Sequence, residues 1–137
     1  MQREEEWRLI DSARVATLAT IRPDGSPRLV PCVFARQGST MHLPVDAKPK
    51  STRALARLAD VRREPRVGLL VQGWNEDWTR LWWVRLDGRA RLAMGEELDA
   101  ARALLVDRYP QYVDGGELDP VISVDVAEWR SWRASDP

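Results

Sequence analysis

The sequence predicts one mainly β domain, an antiparallel barrel or sandwich with helices inserted at its ends. Six or seven β-type segments follow one another along the 137 residues, and helical patterns interrupt them only two or three times. The first of these segments are joined by tight turns, which connect antiparallel strands but are too short for parallel ones. No repeat, low-complexity stretch or linker divides the chain, so a single domain over residues 1–137 is expected.

The first half of the chain predicts a helix and three strands. The helix covers residues 3–13, and the strands cover residues 15–20, 29–35 and 41–45. The turn-forming sequences R-P-D-G-S-P and Q-G-S separate the three strands. Pro31 and Pro44 fall within strand patterns. Because each lacks a backbone donor, we expect their backbones to face a sheet edge, a bulge or a ligand.

The second half predicts two more helices and three more strands. Ser51 or Thr52 can cap a helix that runs to about residue 63, where Pro65 stops it. The strands cover residues 66–71, 81–92 and 120–126, the last helix covers 96–108, and a partly ordered tail covers 127–137. Along the longest strand the alternation of apolar residues changes phase near Asp87 and Gly88, which predicts a bulge or bend.

Composition argues against several classes of function. The 21 basic and 21 acidic residues leave no net charge to attract nucleic acid or an anionic membrane. No apolar run approaches the roughly 20 residues of a membrane span, the N-terminus does not resemble a signal peptide, and one cysteine suits a reducing compartment; we therefore expect a cytoplasmic protein. One histidine and one cysteine cannot form a zinc cluster, and no Walker loop, nucleophile elbow or dinucleotide-binding motif occurs. An enzyme of this composition would depend on a bound cofactor.

The segment between the third strand and the second helix carries the clearest candidate site. Lys48 and Lys50, the only lysines in the chain, flank Pro49 just before the hydroxyl residues Ser51 and Thr52. Two ammonium groups beside the free N–H groups of a helix N-terminus form a suitable site for phosphate. The alternative is a solvated basic corner without a ligand. Seven tryptophans against one phenylalanine also indicate a stacking site, a subunit interface, or both.

The ordered set of segments resembles the pyridoxamine-5′-phosphate-oxidase-like split-barrel flavoproteins over about residues 7–133. The resemblance rests on V-A-T-L-A-T, D-G-S-P-R-L-V-P-C-V-F-A, H-L-P-V-D-A-K-P-K and R-L-A-D-V-R-R-E-P-R-V-G-L-L-V. The later segments D-W-T-R-L-W-W-V-R-L-D-G-R-A and R-Y-P-Q-Y resemble the branch that uses the deazaflavin coenzyme F420 (8-hydroxy-5-deazaflavin) in place of FMN. The resemblance implies a six-stranded antiparallel split β-barrel and an obligate homodimer with cofactor sites at the subunit interface.

The resemblance also implies which residues bind the cofactor. Its phosphate-binding part maps onto Lys48, Lys50, Ser51, Thr52 and Arg57. The strand edges that flank the ring of the cofactor map onto Pro31, Cys32, Val33, Pro44, Val45 and Asp46. The aromatic residues that would close the site from the partner chain are Trp78, Trp82 and Trp83.

The chain departs from the family's pattern at this site. Arg57 stands where many relatives have the lysine of a K-x-R-N-L pattern, and Asp60 stands where they have the asparagine. At helical spacing Arg53 and Arg57 share one face, so both can instead be solvated helix charges while the two lysines hold the anion. The adjacent Trp82 and Trp83 must point to opposite sides of their strand.

Together these features predict an oxidoreductase in which reduced coenzyme F420 transfers hydride to a small conjugated organic substrate. Two alternatives share the fold: an FMN-dependent oxidase or reductase, and a non-catalytic flavin- or haem-binding protein. His42 is the only imidazole available to a haem iron. No residue stands out as catalytic; His42, Asp46 and Tyr109 are the candidates for a proton donor. The segments 74–83 and 129–132 are expected to contribute to the dimer interface.

Overall fold

The computed structural model of the protein describes residues 1–45, 52–112 and 118–135, with the backbone alone at residues 52–54. The helices in these ranges are α1 (Arg3–Ser12), α2 (Thr52–Arg63) and α3 (Gly95–Arg108). The strands are β1 (Ala16–Ile21), β2 (Pro27–Cys32), β3 (Ala35–Gln37), β4 (Thr40–Pro44), β5 (Arg66–Gly73), β6 (Trp82–Leu92) and β7 (Val121–Arg133). A single 3-10 turn, Trp78–Arg80, lies between β5 and β6.

The seven strands form one antiparallel sheet in the order β2-β1-β5-β6-β7-β4-β3. The two edge strands, β2 and β3, are consecutive in the chain and are separated only by Val33 and Phe34. The two edges of the sheet must therefore meet at this point, and the sheet curls into a half-barrel. The predicted mainly β, antiparallel architecture is thus confirmed.

Side chains that alternate along the strands fill the inside of the curled sheet. Leu18, Leu86 and Val124 come from three different strands and are almost completely buried in one core, to which α1 adds Ile10 and α2 adds Leu58. A second, smaller core is built around α3 and includes residues of β3 and β7. Because neighbouring residues of a strand point to opposite sides, this second core lies on the outer side of the sheet.

The prediction of one strand over residues 29–35 is wrong, because this segment forms both β2 and β3. Phe34 is fully buried at the break, and its backbone N–H donates to the hydroxyl group of Tyr109 at 3.2 Å rather than to a neighbouring strand. The same hydroxyl group lies 2.8 Å from the Phe34 carbonyl oxygen, to which it can donate. The described residues therefore form seven strands and not the six that the resemblance implied.

The irregularity predicted near Asp87 and Gly88 is confirmed as a β-bulge between β6 and β7. Asp87 pairs with Glu128 and Gly88 pairs with Val126, so the extra residue is Ala127 on β7. A Cβ atom at Gly88 would lie 2.3 Å from a backbone oxygen of β7. The close approach of the two strands at the bulge therefore requires glycine.

Strand β7 is longer than predicted. It pairs with β6 as far as Arg133, so the partly ordered tail expected from residue 127 is not observed up to that point. Trp129 explains part of this order, because it packs against the inner core and meets Trp7 edge to face, with ring centroids 5.8 Å apart.

Both prolines that interrupt strand patterns lie at sheet edges, as predicted. Pro31 belongs to the edge strand β2. Pro44 pairs with β7 on one side, while β3 pairs with β4 only between Thr40 and His42 and leaves the other side of Pro44 free of a described strand. None of the described helices is long and apolar enough to cross a membrane.

Candidate functional site

A groove of about 410 Å³ lies between the edge strand β2, the end of β1 and helix α2. We call it the arginine groove, and its lining residues are Arg22, Arg28, Leu29, Val30, Pro31 and Arg57. Arg22 and Arg28 stand on either side of the turn between β1 and β2, and Arg57 reaches the groove from α2. Guanidinium groups hold phosphate and carboxylate groups through paired hydrogen bonds, so this lining is suited to the anionic part of a ligand.

The side chain of Arg57 points towards β2. Its Nη1 donates to the Sγ atom of Cys32 at 3.5 Å, and Cys32 is buried at the end of β2. The core-facing side of α2 carries Leu58 and Val61, whereas Leu55 is exposed. Arg57 therefore lines the groove and is not a fully solvated helix charge.

Two of the groove arginines form no close ion pair with a described carboxylate. Arg22 and Arg57 form no ion pair with any carboxylate in the part of the chain that the structure describes. Arg22 instead donates to the backbone oxygen of Pro27 at 2.6 Å, which is a neutral acceptor. Hydrogen bonds from Ser26, together with the charge of Arg22, lower the pKa of the Asp24 carboxyl group. Among the described residues, the charge of Arg22 is therefore partly compensated by Asp24, whereas Arg57 has no such carboxylate.

The third groove arginine, Arg28, is paired with the buried carboxylate of Asp60. Arg28 Nε donates to Asp60 Oδ2 at 2.6 Å, and Thr20 Oγ1 donates to the same oxygen at 2.8 Å. Arg63 Nη1 lies 3.5 Å from the other oxygen. Burial raises the pKa of the Asp60 carboxyl group, but the hydrogen bonds from Arg28 and Thr20 outweigh burial and hold this pKa below its usual range. Asp60 is therefore a charged anchor between α2, β1 and β2.

The structure brings together three of the residues predicted to bind the cofactor. Pro31 and Arg57 line the arginine groove, and Cys32 contacts Arg57. Thr52 is the first residue of α2. The predicted residues Asp46, Lys48, Lys50 and Ser51 lie outside the described residues. Their roles, like those of the three residues at the groove, stay predictions.

The other predicted strand-edge residues lie apart from the lining of the groove. Val33 follows β2, and Pro44 ends β4. Val45 is buried in the inner core, and its backbone N–H donates to the Pro120 carbonyl oxygen at 3.0 Å. None of these three residues lines the arginine groove.

The predicted tryptophans do not line the arginine groove. Trp78 is exposed in the 3-10 turn, whereas Trp82 packs against the inner core. Its neighbour Trp83 consequently points to the outer side of the sheet and pairs with Trp132 of β7. The two side chains therefore lie on opposite sides of the strand, as predicted. Trp82 and Trp83 line a small cavity of about 140 Å³, to which Trp74 also contributes.

The two described candidates for a proton donor also lie away from the arginine groove. His42 is 1% exposed, its Nδ1 lies 2.7 Å from Ser123 Oγ, and burial lowers the pKa of its imidazole. The hydroxyl group of Tyr109 is engaged with the backbone of Phe34 and lies 2.9 Å from the Arg14 carbonyl oxygen. Neither residue lines the groove, so the structure gives no support for either as a proton donor there.

The outer side of the sheet carries both apolar and charged side chains. An open groove of about 600 Å³ lies there, and its lining includes the small residues Ala19 and Gly68. Leu29, Leu70 and Trp132 belong to the same side of β2, β5 and β7 and are exposed. We call this surface the outer face.

Sequence reasoning missed Arg22 and Arg28 as site residues, and it treated Asp60 only as a departure from a pattern. One signal was present, because Arg22 and Arg28 flank the turn P-D-G-S-P and a hairpin must bring them together. The partnership between Arg28 and Asp60 joins residues 32 positions apart, and local pattern does not predict it.

Comparison with known proteins agrees with this architecture. The model of the pyridoxamine 5′-phosphate oxidase family matches residues 3–133. No protein of curated function matches the sequence significantly. A conserved hypothetical protein from Mycobacterium tuberculosis is 25% identical, with a TM-score of 0.80 over 98% of this chain and 86% of that one.

Two further solved structures share the fold at lower identity. A haem-binding protein from Mycobacterium smegmatis is 24% identical, with a TM-score of 0.77 over 96% of this chain; this chain covers only 53% of that protein. A FAD-binding protein from Mesorhizobium loti is 18% identical, with a TM-score of 0.72 over 96% of this chain and 94% of that one.

Proposed function

The chain belongs to the pyridoxamine 5′-phosphate oxidase family, and from this premise we propose that it is an oxidoreductase that binds the deazaflavin coenzyme F420. The proposed reaction is hydride transfer to a small conjugated organic substrate. The observation that carries the proposal is the arginine groove, in which Arg22 and Arg57 form no close ion pair with a described carboxylate. Coenzyme F420 and FMN each carry a phosphate group, which guanidinium groups bind well. The choice of the deazaflavin rests on the resemblance of residues 77–90 and 108–112.

The lining of the groove fits a cofactor that joins an anionic chain to a ring. Arg22, Arg28 and Arg57 offer hydrogen-bond donors to the anion, while Leu29 and Pro31 offer an apolar surface beside it. When bound, the reduced deazaflavin supplies the hydride. The contribution of the chain is to anchor the anion, to orient the ring towards the substrate and to exclude water.

FMN is the second candidate cofactor. The same groove suits its phosphate group, and one structural neighbour is described as FAD-binding. Haem has less support, although another neighbour is described as haem-binding. His42 is the only histidine and is 1% exposed, so its imidazole is not presented to a ligand at the surface.

Equilibrium titration with coenzyme F420, FMN and haemin tests the proposal, with quenching of tryptophan fluorescence as the signal. We expect coenzyme F420 to bind in the micromolar range and more tightly than FMN. If Lys48 and Lys50 extend the anion site, Lys48→Ala and Lys50→Ala each weaken binding by about tenfold. Preference for FMN would replace the deazaflavin in the proposal, and binding of none of the three would contradict it.

We also propose that a second copy of the chain packs on the outer face and completes the cofactor site. The exposed apolar side chains of Leu29, Leu70 and Trp132, which come from three strands of this face, support the proposal. The segment 129–132 was predicted to contribute to the interface. Trp129 packs against the inner core, whereas Trp132 is exposed and available to a partner.

Light scattering at micromolar concentration tests the dimer. We expect the mass of two chains for the wild type and of one chain for Trp132→Arg, because a buried unpaired charge disrupts an apolar interface. Met94→Arg is the matched control, since Met94 is also exposed but belongs to the start of α3. A folded wild-type monomer would contradict both the dimer and the shared site.

A further inference from the structure

The Asp60 side chain is almost fully buried, although a charged carboxylate loses its hydration on burial. It is 1% exposed, and its two oxygens face Arg28 and Arg63. A buried ion pair contributes little to stability on balance, because the loss of hydration offsets much of the attraction between the charges. The arrangement is better explained by what the carboxylate does to the arginines around it.

The contact with Asp60 fixes how Arg28 presents its guanidinium group. Arg28 contacts the carboxylate through Nε, at 2.6 Å, while its side chain stays 24% exposed at the arginine groove. Its two terminal nitrogens form no hydrogen bond to another described residue. A guanidinium group held through Nε has a fixed plane and keeps its terminal donors for a ligand.

Asp60 and Arg57 also belong to the same stretch of α2. Asp60 follows Arg57 by three residues on α2, so the two side chains are neighbours on the surface of the helix. Through Asp60, Thr20 and Arg28 hold this turn of α2 against β1 and β2. Asp60 thus contacts Arg28 directly and helps to hold in place the helix from which Arg57 reaches the groove.

We propose that Asp60 is a positioning residue that orients Arg28 and Arg57 so that both grip one phosphate-type anion between β2 and α2. The proposal rests on the proposed function, since the anion is taken to be the phosphate of the bound cofactor. The positioning role predicts whether the Asp60 carboxylate raises or lowers the affinity for the anion. A carboxylate that only neutralised the groove would weaken anion binding by its charge, whereas a positioning carboxylate strengthens it.

The test compares FMN with riboflavin, which differ only in the phosphate group. The ratio of the riboflavin Kd to the FMN Kd measures what the phosphate contributes, whereas partial unfolding or a disturbed ring pocket weakens both ligands alike. We expect this ratio to fall by about tenfold or more in Asp60→Asn and in Arg28→Ala. The matched control is Asp11→Asn, which removes the carboxylate of another arginine pair, with Arg36 at 2.6 Å, and should leave the ratio unchanged.

An unchanged or larger ratio in folded Asp60→Asn overturns the positioning role. If Asp60→Asn does not fold, Arg28→Lys takes its place, because lysine keeps the charge but cannot offer an Nε contact and a pair of terminal donors together. If only coenzyme F420 binds, the deazaflavin nucleoside and its 5′-phosphate replace riboflavin and FMN, because these two also differ only in the phosphate group.

If the wild type binds neither flavin nor deazaflavin, the proposed function has failed, and the variants are titrated with inorganic pyrophosphate by calorimetry. Binding of pyrophosphate that weakens about tenfold in Asp60→Asn then supports the positioning role by itself. Equal binding by the wild type and Asp60→Asn, or no binding by the wild type, overturns it.

Discussion

Two clusters of arginine and carboxylate groups differ in which charge is in excess. At α2, the Asp60 carboxylate is almost fully buried and pairs with Arg28 beside a groove that holds further arginines. At α3, the single guanidinium group of Arg91 is shared by Glu97 and Asp125, at 2.6 Å from each. The hydrogen bonds from Arg91 hold the pKa values of both carboxyl groups below their usual ranges. The first cluster therefore has an excess of positive charge, and the second has an excess of negative charge.

The difference shows how a binding site can be told from a structural cluster in this molecule. The cluster at α2 opens onto the edge strand β2, where a ligand can approach. The cluster at α3 connects the central strands β6 and β7 with the first turn of a helix that covers the second core. Excess positive charge at an edge that a ligand can reach indicates a binding site, whereas charged groups that connect secondary-structure elements to one another indicate packing.

The largest expected difference between the clusters is in stability. Asp60→Ala leaves Arg28 partly buried without its partner and should lower the free energy of unfolding by about 3 kcal/mol. Glu97→Ala breaks an exposed pair and should cost less than about 1 kcal/mol. Urea unfolding followed by circular dichroism measures both changes. Equal losses of unfolding free energy would contradict the difference in burial between the two clusters.

The next effect concerns binding. Arg57→Ala removes one charged donor from the arginine groove and should weaken the binding of a phosphate-bearing cofactor by about 10- to 100-fold. Arg62→Ala is the matched control on the same helix, because Arg62 is exposed and does not line the groove. Arg91→Ala should leave the affinity unchanged as well. A loss of affinity as large in the controls would remove the distinction between the two clusters.

The smallest expected effect is a dependence of stability on pH that belongs to the α3 side alone. His42 lies on β4, and the groups that face it are Ser123 and Asp125 of β7, Arg91 of β6 and Glu97 of α3. Burial lowers the pKa of His42 below the ordinary 6.5, so the unfolded chain binds a proton first as the pH falls. The free energy of unfolding should therefore decrease as the pH falls below 6.5.

Urea unfolding at pH 7.5 and 5.5 measures this dependence, compared between the wild type and His42→Gln. The difference between the two pH values should be smaller in His42→Gln, because glutamine does not titrate. Asp60 should add nothing over this interval, since its pKa is held below 3.8 and its contribution is lost only as the pH falls through that lower value. An equal pH dependence in His42→Gln would show that His42 is not the group responsible.

The sequence predicts the elements of the fold better than their connections. Helices α2 and α3 begin and end close to their predicted bounds, because Pro65 and Pro110 stop them. The break at Phe34 was not predictable, since it depends on the hydroxyl group of Tyr109, 75 residues further along the chain. The length of β7 likewise depends on pairing with β6 and not on the polar residues that follow Val126.

Only some residues of the candidate site could likewise be predicted from the sequence. Arg57 and Pro31 could be assigned from the resemblance, and the structure places both at one groove. Arg28 could not be assigned, because its role follows from a contact with Asp60 across two elements. Asp60 itself stood out in the sequence only as a departure from a family pattern, whereas in the structure it is the anchor of the groove.

A crystal structure of the protein with its bound cofactor would show whether the arginine groove binds the anionic group. Crystals grown with whichever of coenzyme F420 or FMN binds more tightly would locate the phosphate group. We expect its oxygens within about 3 Å of nitrogen atoms of both Arg28 and Arg57. A bound cofactor whose phosphate contacts neither arginine would show that the arginine groove is not the anion site.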